Sequence, residues 1–161
     1  MDGIMEEAGQ NFELASNLVN SGMRLTLVHA LTGLCPSRLR NLHKKVNGQS
    51  APPGRTPENA HISIKNRDQA MEAAKFLNYY DLISRQQGNG SCGTRVMDPK
   101  VLLESYKFYA QMTEAPLNIN LAWYVIRDLV SGQLQSRKCS RCGIMFVFTS
   151  ENEAMQTCPM C

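Results

Sequence analysis

Two Cys-x-x-Cys pairs close the sequence and constrain its fold more than any other feature. The pairs begin at Cys139 and Cys158, and 15 residues separate them. Each pair aims two sulfurs at one point, and a loop of this length returns the second pair to the first. Four thiolates then enclose one tetrahedral ion and leave it no open position. This predicts one structural Zn²⁺ held by Cys139, Cys142, Cys158 and Cys161.

Other interpretations of the paired cysteines have less support. A thioredoxin-like redox motif needs one pair on a βαβ framework, and the surrounding residues do not predict one. A zinc deaminase needs His-x-Glu, and none of His29, His43 and His61 is followed two residues later by Glu. The remaining cysteines, Cys35 and Cys92, stand alone and are expected to be small packing residues.

The residues between the pairs predict a small ribbon. Gly143 follows the first pair directly, where a tight turn favours a residue that is free at positive φ. The apolar run 144–148 predicts a short strand, and Pro159 stiffens the second turn. We therefore expect a helical body at 1–135 that binds DNA or a partner, followed by a zinc-binding ribbon at 136–161.

The composition is that of an ordinary globular protein. Of 161 residues, 43% are hydrophobic and 19% are charged, and no apolar run reaches the roughly 20 residues that span a bilayer. The first 13 residues carry four acids and no base, unlike the start of a secretory signal. We expect a cytoplasmic protein with no membrane partner. In that reducing compartment Cys-x-x-Cys pairs more often bind metal or do redox chemistry than form disulfides.

Apolar periodicity and capping residues predict a mainly α-helical body. Pro and Gly predict an extended loop at 48–65, and Asp98 and Asn118 are expected to cap helices. The last helix is the most apolar and carries the only tryptophan, so it should be central to the core. The predicted helices span 11–31, 37–47 with Ser37 as its cap, 66–86, 100–114 and 117–132.

The charge distribution and helix order at 11–47 fit a helix-turn-helix segment. No acid occurs from Leu14 through Pro57, although that stretch contains Arg24, Arg38, Arg40, Lys44, Lys45 and Arg55. A helix, a turn at Gly33 and a second, basic helix follow in order. The second helix would present its bases, with Asn41 and His43, to phosphates and base edges in a major groove. An ordinary amphipathic hairpin with a solvated basic face is the alternative.

Three further bases lie just before or within the first cysteine pair. They are Arg137, Lys138 and Arg141. Four thiolates with Zn²⁺ carry a charge of −2, so these bases have a purely electrostatic explanation. Contact with DNA phosphates is the competing explanation, and both stay open.

Two stretches resemble the FlhC family of flagellar transcriptional activators. One is "ASNLVNSGMRLTLVHALTGLCPSRLRNLHKKVNGQSAPPGRTP", and the other is "NLAWYVIRDLVSGQLQSRKCSRC" followed by "CPMC". The cysteine pattern after an apolar, Trp-bearing helix is the most specific part. Related activators of the AcaC and SetC type are carried by conjugative elements and activate transfer genes.

The resemblance implies a mainly helical protein with a four-cysteine zinc site. FlhC-type proteins act with a small helical partner, FlhD, in a hetero-oligomer that binds double-stranded promoter DNA and recruits RNA polymerase. Their zinc ligands correspond to Cys139, Cys142, Cys158 and Cys161 of this chain. Family members usually continue past the last cysteine, often with basic residues. If that tail binds DNA, affinity here is expected from the body or the partner.

Two hypotheses follow from these observations. The first is a non-enzymatic DNA-binding activator subunit that works with an FlhD-like partner at flagellar or conjugative-transfer promoters. The second is a zinc-ribbon adaptor between proteins that never touches DNA. An enzyme is disfavoured, because the sequence shows no catalytic constellation or small-molecule substrate site and four cysteines leave the metal no free position.

Overall fold

A computed structural model of the chain describes residues 2–55, 59–90 and 97–161, with the side chains of 2–5 left aside. The described part is mainly α-helical and includes one two-stranded sheet, which confirms the predicted fold class. Its elements are α1 (Asp2–Asn20), α2 (Leu25–Thr32), α3 (Pro36–Asn47), α4 (Ala60–Ser63), α5 (Arg67–Gln86), α6 (Pro99–Gln111), α7 (Ile119–Val130), β1 (Gln135–Lys138), β2 (Met145–Phe148) and a 3₁₀ turn (Glu153–Met155).

The chain divides into two compact units, Met1–Thr56 and Pro57–Cys161. The first contains α1 to α3, and the second contains the remaining elements. No described helix combines the length and the apolar character needed to cross a membrane. The predicted boundary between a body at 1–135 and a ribbon at 136–161 stays a prediction.

The single helix predicted at 11–31 is wrong, because two helices occupy that region. α1 ends at Asn20, and Gly22 adopts the left-handed conformation with φ of 87°. The N–H of Gly22 donates to Val19 O and the N–H of Met23 donates to Leu18 O, both at 3.0 Å. This pair of hydrogen bonds is a Schellman motif, which ends a helix and turns the chain.

A three-residue turn joins α2 to α3. Gly33 ends α2 at φ of 69°, and the His29 Nδ1–H donates to Leu34 O at 2.8 Å across the turn. The predicted cap at Ser37 is wrong: Cys35 is the N-cap and Pro36 is the first helical residue, where its missing N–H costs no hydrogen bond. α3 ends at Asn47-Gly48 as predicted.

Apolar residues from all three helices form the core of the first unit. Leu18, Val28 and Leu39 are fully buried, one from each helix. On α3 the bases are exposed while Leu39 and Leu42 are buried, which agrees with the amphipathic pattern in the sequence. The described part of this unit is therefore a helix-turn-helix pair packed on a preceding helix.

The second unit is built on α5, α6 and α7, and the predicted caps are confirmed. Asp98 accepts a hydrogen bond from Lys100 N, and Asn118 accepts one from Leu121 N. α7 contributes eight buried residues, but α5 packs against more elements and is the centre of this unit, and Trp123 itself is only half-buried. α6 ends at Gln111, three residues before the predicted end. The predicted loop at 48–65 is partly wrong, because it contains the short helix α4.

A buried carboxylate holds α4 against α7. Asp128 is fully buried, and its Oδ2 accepts from Ala60 N at 2.8 Å at the start of α4. Its Oδ1 accepts from the Arg127 Nε at 2.8 Å, and the Arg127 guanidinium lies over the rings of Trp123 and Tyr124. The charge of Asp128 is therefore paired, and α4 gains a hydrogen bond that its own four residues could not supply.

Asp128→Ala should lower the free energy of unfolding by about 3 kcal/mol, because it leaves the buried Ala60 N–H without an acceptor and removes the carboxylate that pairs with Arg127. Equilibrium urea unfolding of the full chain measures this change. Glu114→Ala removes an exposed carboxylate from the same unit and is the control. A loss no larger than that of the control would contradict the structural role of Asp128.

Candidate metal centre

The first cysteine pair lies in the turn between two antiparallel strands. β1 and β2 pair with Lys138 opposite Met145, so Cys139 begins the connecting turn. The Cys139 N–H donates to Ile144 O at 2.8 Å, and the Gly143 N–H donates to Cys139 O at 2.9 Å. Gly143 has φ of 76°, which satisfies the requirement predicted from its position. The predicted strand at 144–148 is confirmed as β2.

The second cysteine pair follows the 3₁₀ turn. Asn152 caps that turn, since its Oδ1 accepts from Ala154 N at 3.0 Å. The same side chain donates from Nδ2 to His61 O and to Ile64 O, each at 2.6 Å. One asparagine therefore fixes the segment that leads into Cys158 against α4.

The four sulfurs converge as the sequence predicted. All four Sγ atoms lie within 4.8 Å of one another. The Sγ atoms of Cys139 and Cys161 are 3.7 Å apart, and those of Cys142 and Cys158 are 3.6 Å apart. A tetrahedron with metal–sulfur bonds of about 2.3 Å has edges of about 3.8 Å. The cluster is therefore sized for one tetrahedral metal ion.

Local interactions make one thiol of the cluster more acidic and another less acidic. Backbone N–H groups of Cys142 and Arg141 lower the pKa of Cys139 to about 6. The nearby sulfur of Cys142 and desolvation raise the pKa of Cys161 to about 12. Four thiolates so close together repel one another unless a cation lies between them. A metal ion bound here therefore replaces protons at the cluster.

Long-range contacts tie this ribbon to α5. Asn78 Nδ2 donates to Met145 O at 2.7 Å, and Arg67 Nε donates to Pro159 O at 3.2 Å. Phe146, Val147 and Met155 are buried. The same helix therefore holds both cysteine turns. Asn78 contacts the chain just after the first pair, and Arg67 contacts the second pair.

Similar proteins place the chain in a family. A family model described as "Flagellar transcriptional activator (FlhC)" matches residues 2–161. The chain belongs to the FlhC family. It is 28% identical to the flagellar transcriptional regulator FlhC of Pectobacterium carotovorum, covering 98% of this chain and 81% of that protein. The FlhC of Nitrosomonas eutropha is also 28% identical, with coverages of 95% and 79%. That of Paraburkholderia atlantica is 32% identical, with coverages of 83% and 61%.

The match confirms the resemblance seen in the sequence. The matched range includes all four cysteines and the whole helix-turn-helix unit. The FlhC family is described as a family of transcriptional activators, which is not an enzyme class.

The residues predicted to contact DNA in this FlhC-family chain lie in both units. In the first unit Arg38, Arg40, Asn41, Lys44 and Lys45 are exposed on α3, and Arg55 is exposed after it. Arg24 and His43 are half-buried: Arg24 donates to Gly54 O at 3.3 Å, and His43 Nδ1 lies 3.0 Å from Gln49 O. In the second unit Arg137, Lys138 and Arg141 are exposed around the first cysteine pair.

Arg137 and Arg141 also take part in the ribbon itself. The Arg137 guanidinium lies 3.2 Å from the centre of the Phe148 ring, and the Arg141 N–H donates to Cys139 Sγ at 3.4 Å. The backbone of Arg141 thus contacts the cluster while its side chain stays exposed. This placement is compatible with both roles of these basic side chains, which are to balance the negative charge of the metal–thiolate cluster or to contact DNA phosphates.

The lone cysteines were expected to pack inside the protein. For Cys35 this is wrong, because its side chain is exposed at the start of α3. Its Sγ lies 3.3 Å from Ser37 Oγ, and this hydrogen bond, followed by one from the backbone N–H of Arg38, lowers the pKa of the thiol. Cys92 lies outside the described residues.

Sequence reasoning missed the residues that support the metal centre from outside. Asn78, Asn152 and Arg67 lie in segments whose periodicity or composition explains them without any role at the cysteines. Asn152 offered one signal, since Asn before a short turn is a preferred cap. The partners of Asn78 and Arg67 are 67 and 92 residues away, and no local pattern reports such a contact.

Proposed function

We propose that the chain is a DNA-binding subunit of a transcriptional activator that acts in the bacterial cytoplasm. It binds double-stranded promoter DNA together with an FlhD-like subunit and recruits RNA polymerase. The target promoters are flagellar, as the names of the relatives indicate. Conjugative-transfer promoters are the alternative targets.

The exposed face of α3 carries the proposal. It presents Arg38, Arg40, Lys44 and Lys45 together with Asn41, and α3 contains no carboxylate that would neutralise them. In helix-turn-helix proteins the second helix enters the major groove. Basic side chains on such a helix neutralise DNA phosphates, while polar side chains reach the edges of the base pairs. The helix order and the turn in the first unit fit this arrangement.

Zn²⁺ is the metal that best fits the four-cysteine centre. Tetrahedral sites with four thiolates are typical of structural zinc, and all four positions are taken by protein. Cys139, Cys142, Cys158 and Cys161 are the proposed ligands. The ion would hold the ribbon together and would take no part in a reaction, because no coordination position is left for a substrate.

Exposed apolar side chains on the second unit support a protein partner. Leu82 on α5 is 51% exposed, and on α6 Phe108 is 51% and Met112 is 64% exposed. The rings of Tyr79 and Phe108 lie 5.4 Å apart. Exposed apolar groups on this pair of helices favour a surface that another subunit covers.

The same surface favours the second candidate function, a protein–protein adaptor without direct DNA binding. In that case the basic face of α3 would be solvated or would contact an acidic protein. The two candidates differ in one property, which is whether the chain binds DNA in a salt-dependent manner.

DNA binding by the purified, zinc-loaded chain decides between the candidates. We expect the chain co-purified with an FlhD-like protein from the same genome to bind promoter DNA with an affinity that falls steeply as salt rises. Fluorescence anisotropy across a salt series, with and without the partner, measures this. If neither preparation binds at low salt, the activator proposal fails and the adaptor is favoured.

A further inference from the structure

A shallow, polar cleft of about 380 Å³ lies beside the second cysteine pair, within the second unit. One wall is the start of α5, and the other is the segment that carries the 3₁₀ turn and leads into Cys158. The residues that line it are Lys65, Arg67, Asn152, Glu153, Ala154, Thr157 and Pro159. None of these residues was among the DNA contacts suggested by the sequence.

Two cations face this cleft without a carboxylate partner. Among the described residues, neither Lys65 nor Arg67 forms an ion pair, and both are exposed. Arg67 uses its Nε to donate to Pro159 O at 3.2 Å, which orients the guanidinium while its terminal nitrogens stay available. Glu153 is the one acid in the lining, so the cleft has an excess of one positive charge.

The backbone at the start of α5 is fixed around these cations. Asn66 Oδ1 accepts from Gln69 N at 2.9 Å, and Gln69 Oε1 accepts from Lys65 N at 2.8 Å. This reciprocal cap holds Lys65 and Arg67 in place on either side of Asn66. Both residues lie at the N-terminus of a 20-residue helix, which carries a partial positive charge.

We propose that this cleft binds a phosphoryl group. Lys65 would supply a point charge and Arg67 a forked donor, and the Thr157 hydroxyl adds a neutral donor, a combination suited to phosphate oxygens. The phosphoryl group has two possible sources, a backbone phosphodiester of bound DNA or a free phosphate compound. The DNA source rests on the proposed function, and the free source does not.

Titration of the full chain with inorganic phosphate tests the cleft independently of DNA. We expect the backbone amide NMR signals of Lys65, Arg67 and Thr157 to shift with added phosphate. Lys65→Gln should weaken the response roughly tenfold, because it removes a charge-assisted contact. Glu153→Gln should strengthen it, because it removes the repelling carboxylate.

The salt dependence of DNA binding by the complex with the FlhD-like subunit shows whether the phosphoryl group in the cleft comes from DNA or from a free phosphate compound. If a DNA phosphate occupies the cleft, Lys65→Gln should reduce the slope of log K against log salt by about 0.9, the value for one phosphate contact. Lys107→Gln removes an exposed base of α6 that does not line the cleft, and it should leave the slope unchanged.

The outcomes separate this proposal from the proposed function. If phosphate shifts the amide signals but Lys65→Gln leaves the salt dependence of DNA binding unchanged, the cleft binds phosphate and its ligand is a free phosphate compound. Failure of the wild-type complex to bind DNA refutes the proposed function, and the titration still decides the cleft. The proposal is wrong if phosphate moves none of the three amides, or if Lys65→Gln and Glu153→Gln respond as the wild type does.

Discussion

Cys142→Ser should release the C-terminal ribbon and destabilise the second unit by roughly 3 kcal/mol. Structural Zn²⁺ contributes about 10–16 kcal/mol to the folding of zinc-finger peptides, so losing one of four ligands removes a sizeable share. The ribbon has only two short strands, and without the metal the two cysteine turns are held by a few hydrogen bonds to α4 and α5. We expect loss of the bound metal ion and rapid proteolysis within residues 136–161.

Metal analysis and limited proteolysis followed by mass spectrometry measure both effects. Cys35→Ser is the matched control, because Cys35 is an exposed thiol in the first unit and lies outside the cluster. Removal of the metal from the wild type with a chelator should reproduce the cleavage pattern of Cys142→Ser. A metal-free ribbon that stays as protected as the loaded one would show that the four cysteines do not organise it.

Replacing Arg38, Arg40, Lys44 and Lys45 together with Gln should abolish DNA binding at physiological salt. Each base that neutralises a phosphate contributes about 0.9 to the slope of log K against log salt, so four contribute about 3.6. This contribution vanishes near 1 M salt and grows as the salt concentration falls. At physiological salt the variant should therefore bind DNA roughly a thousandfold more weakly than the wild type. All four side chains are exposed, so the fold of the first unit should be retained. Anisotropy across a salt series measures the slope, and circular dichroism checks the fold.

A pair of matched double variants tests whether the location of the charge matters. Lys44→Gln with Lys45→Gln should reduce the slope by about 1.8. Lys100→Gln with Lys107→Gln removes the same net charge from exposed positions on α6 and should change the slope little. Equal losses in the two variants would mean that overall charge, and not the face of α3, attracts the DNA.

Local chemistry made the metal centre and most helix limits predictable. Two Cys-x-x-Cys turns with this spacing have few uses other than a tetrahedral metal site, and the four sulfurs do converge. Asp98-Pro99, Asn118 and Asn47-Gly48 mark helix ends through hydrogen bonds within a few residues, which sequence neighbours alone determine.

Predictions failed where two local signals competed. The apolar stripe at 11–31 favours one helix, but Gly22 and the Schellman hydrogen bonds end α1, and Met23 is buried beyond the break. The usual burial of cysteines predicts a packing role for Cys35, yet Pro36 makes the preceding position the exposed start of α3.

The sequence by itself determined the mainly helical class, the cysteine cluster and the basic second helix, because each depends on residues close together in the chain. Only the tertiary structure decided how the cluster is supported. Asn78, Asn152 and Arg67 each bond to backbone carbonyls 67 to 92 residues away. The cleft between α5 and the 3₁₀ turn exists only once those bonds form. A hydrogen bond between distant segments depends on how the helices pack, and no short stretch of sequence encodes that packing.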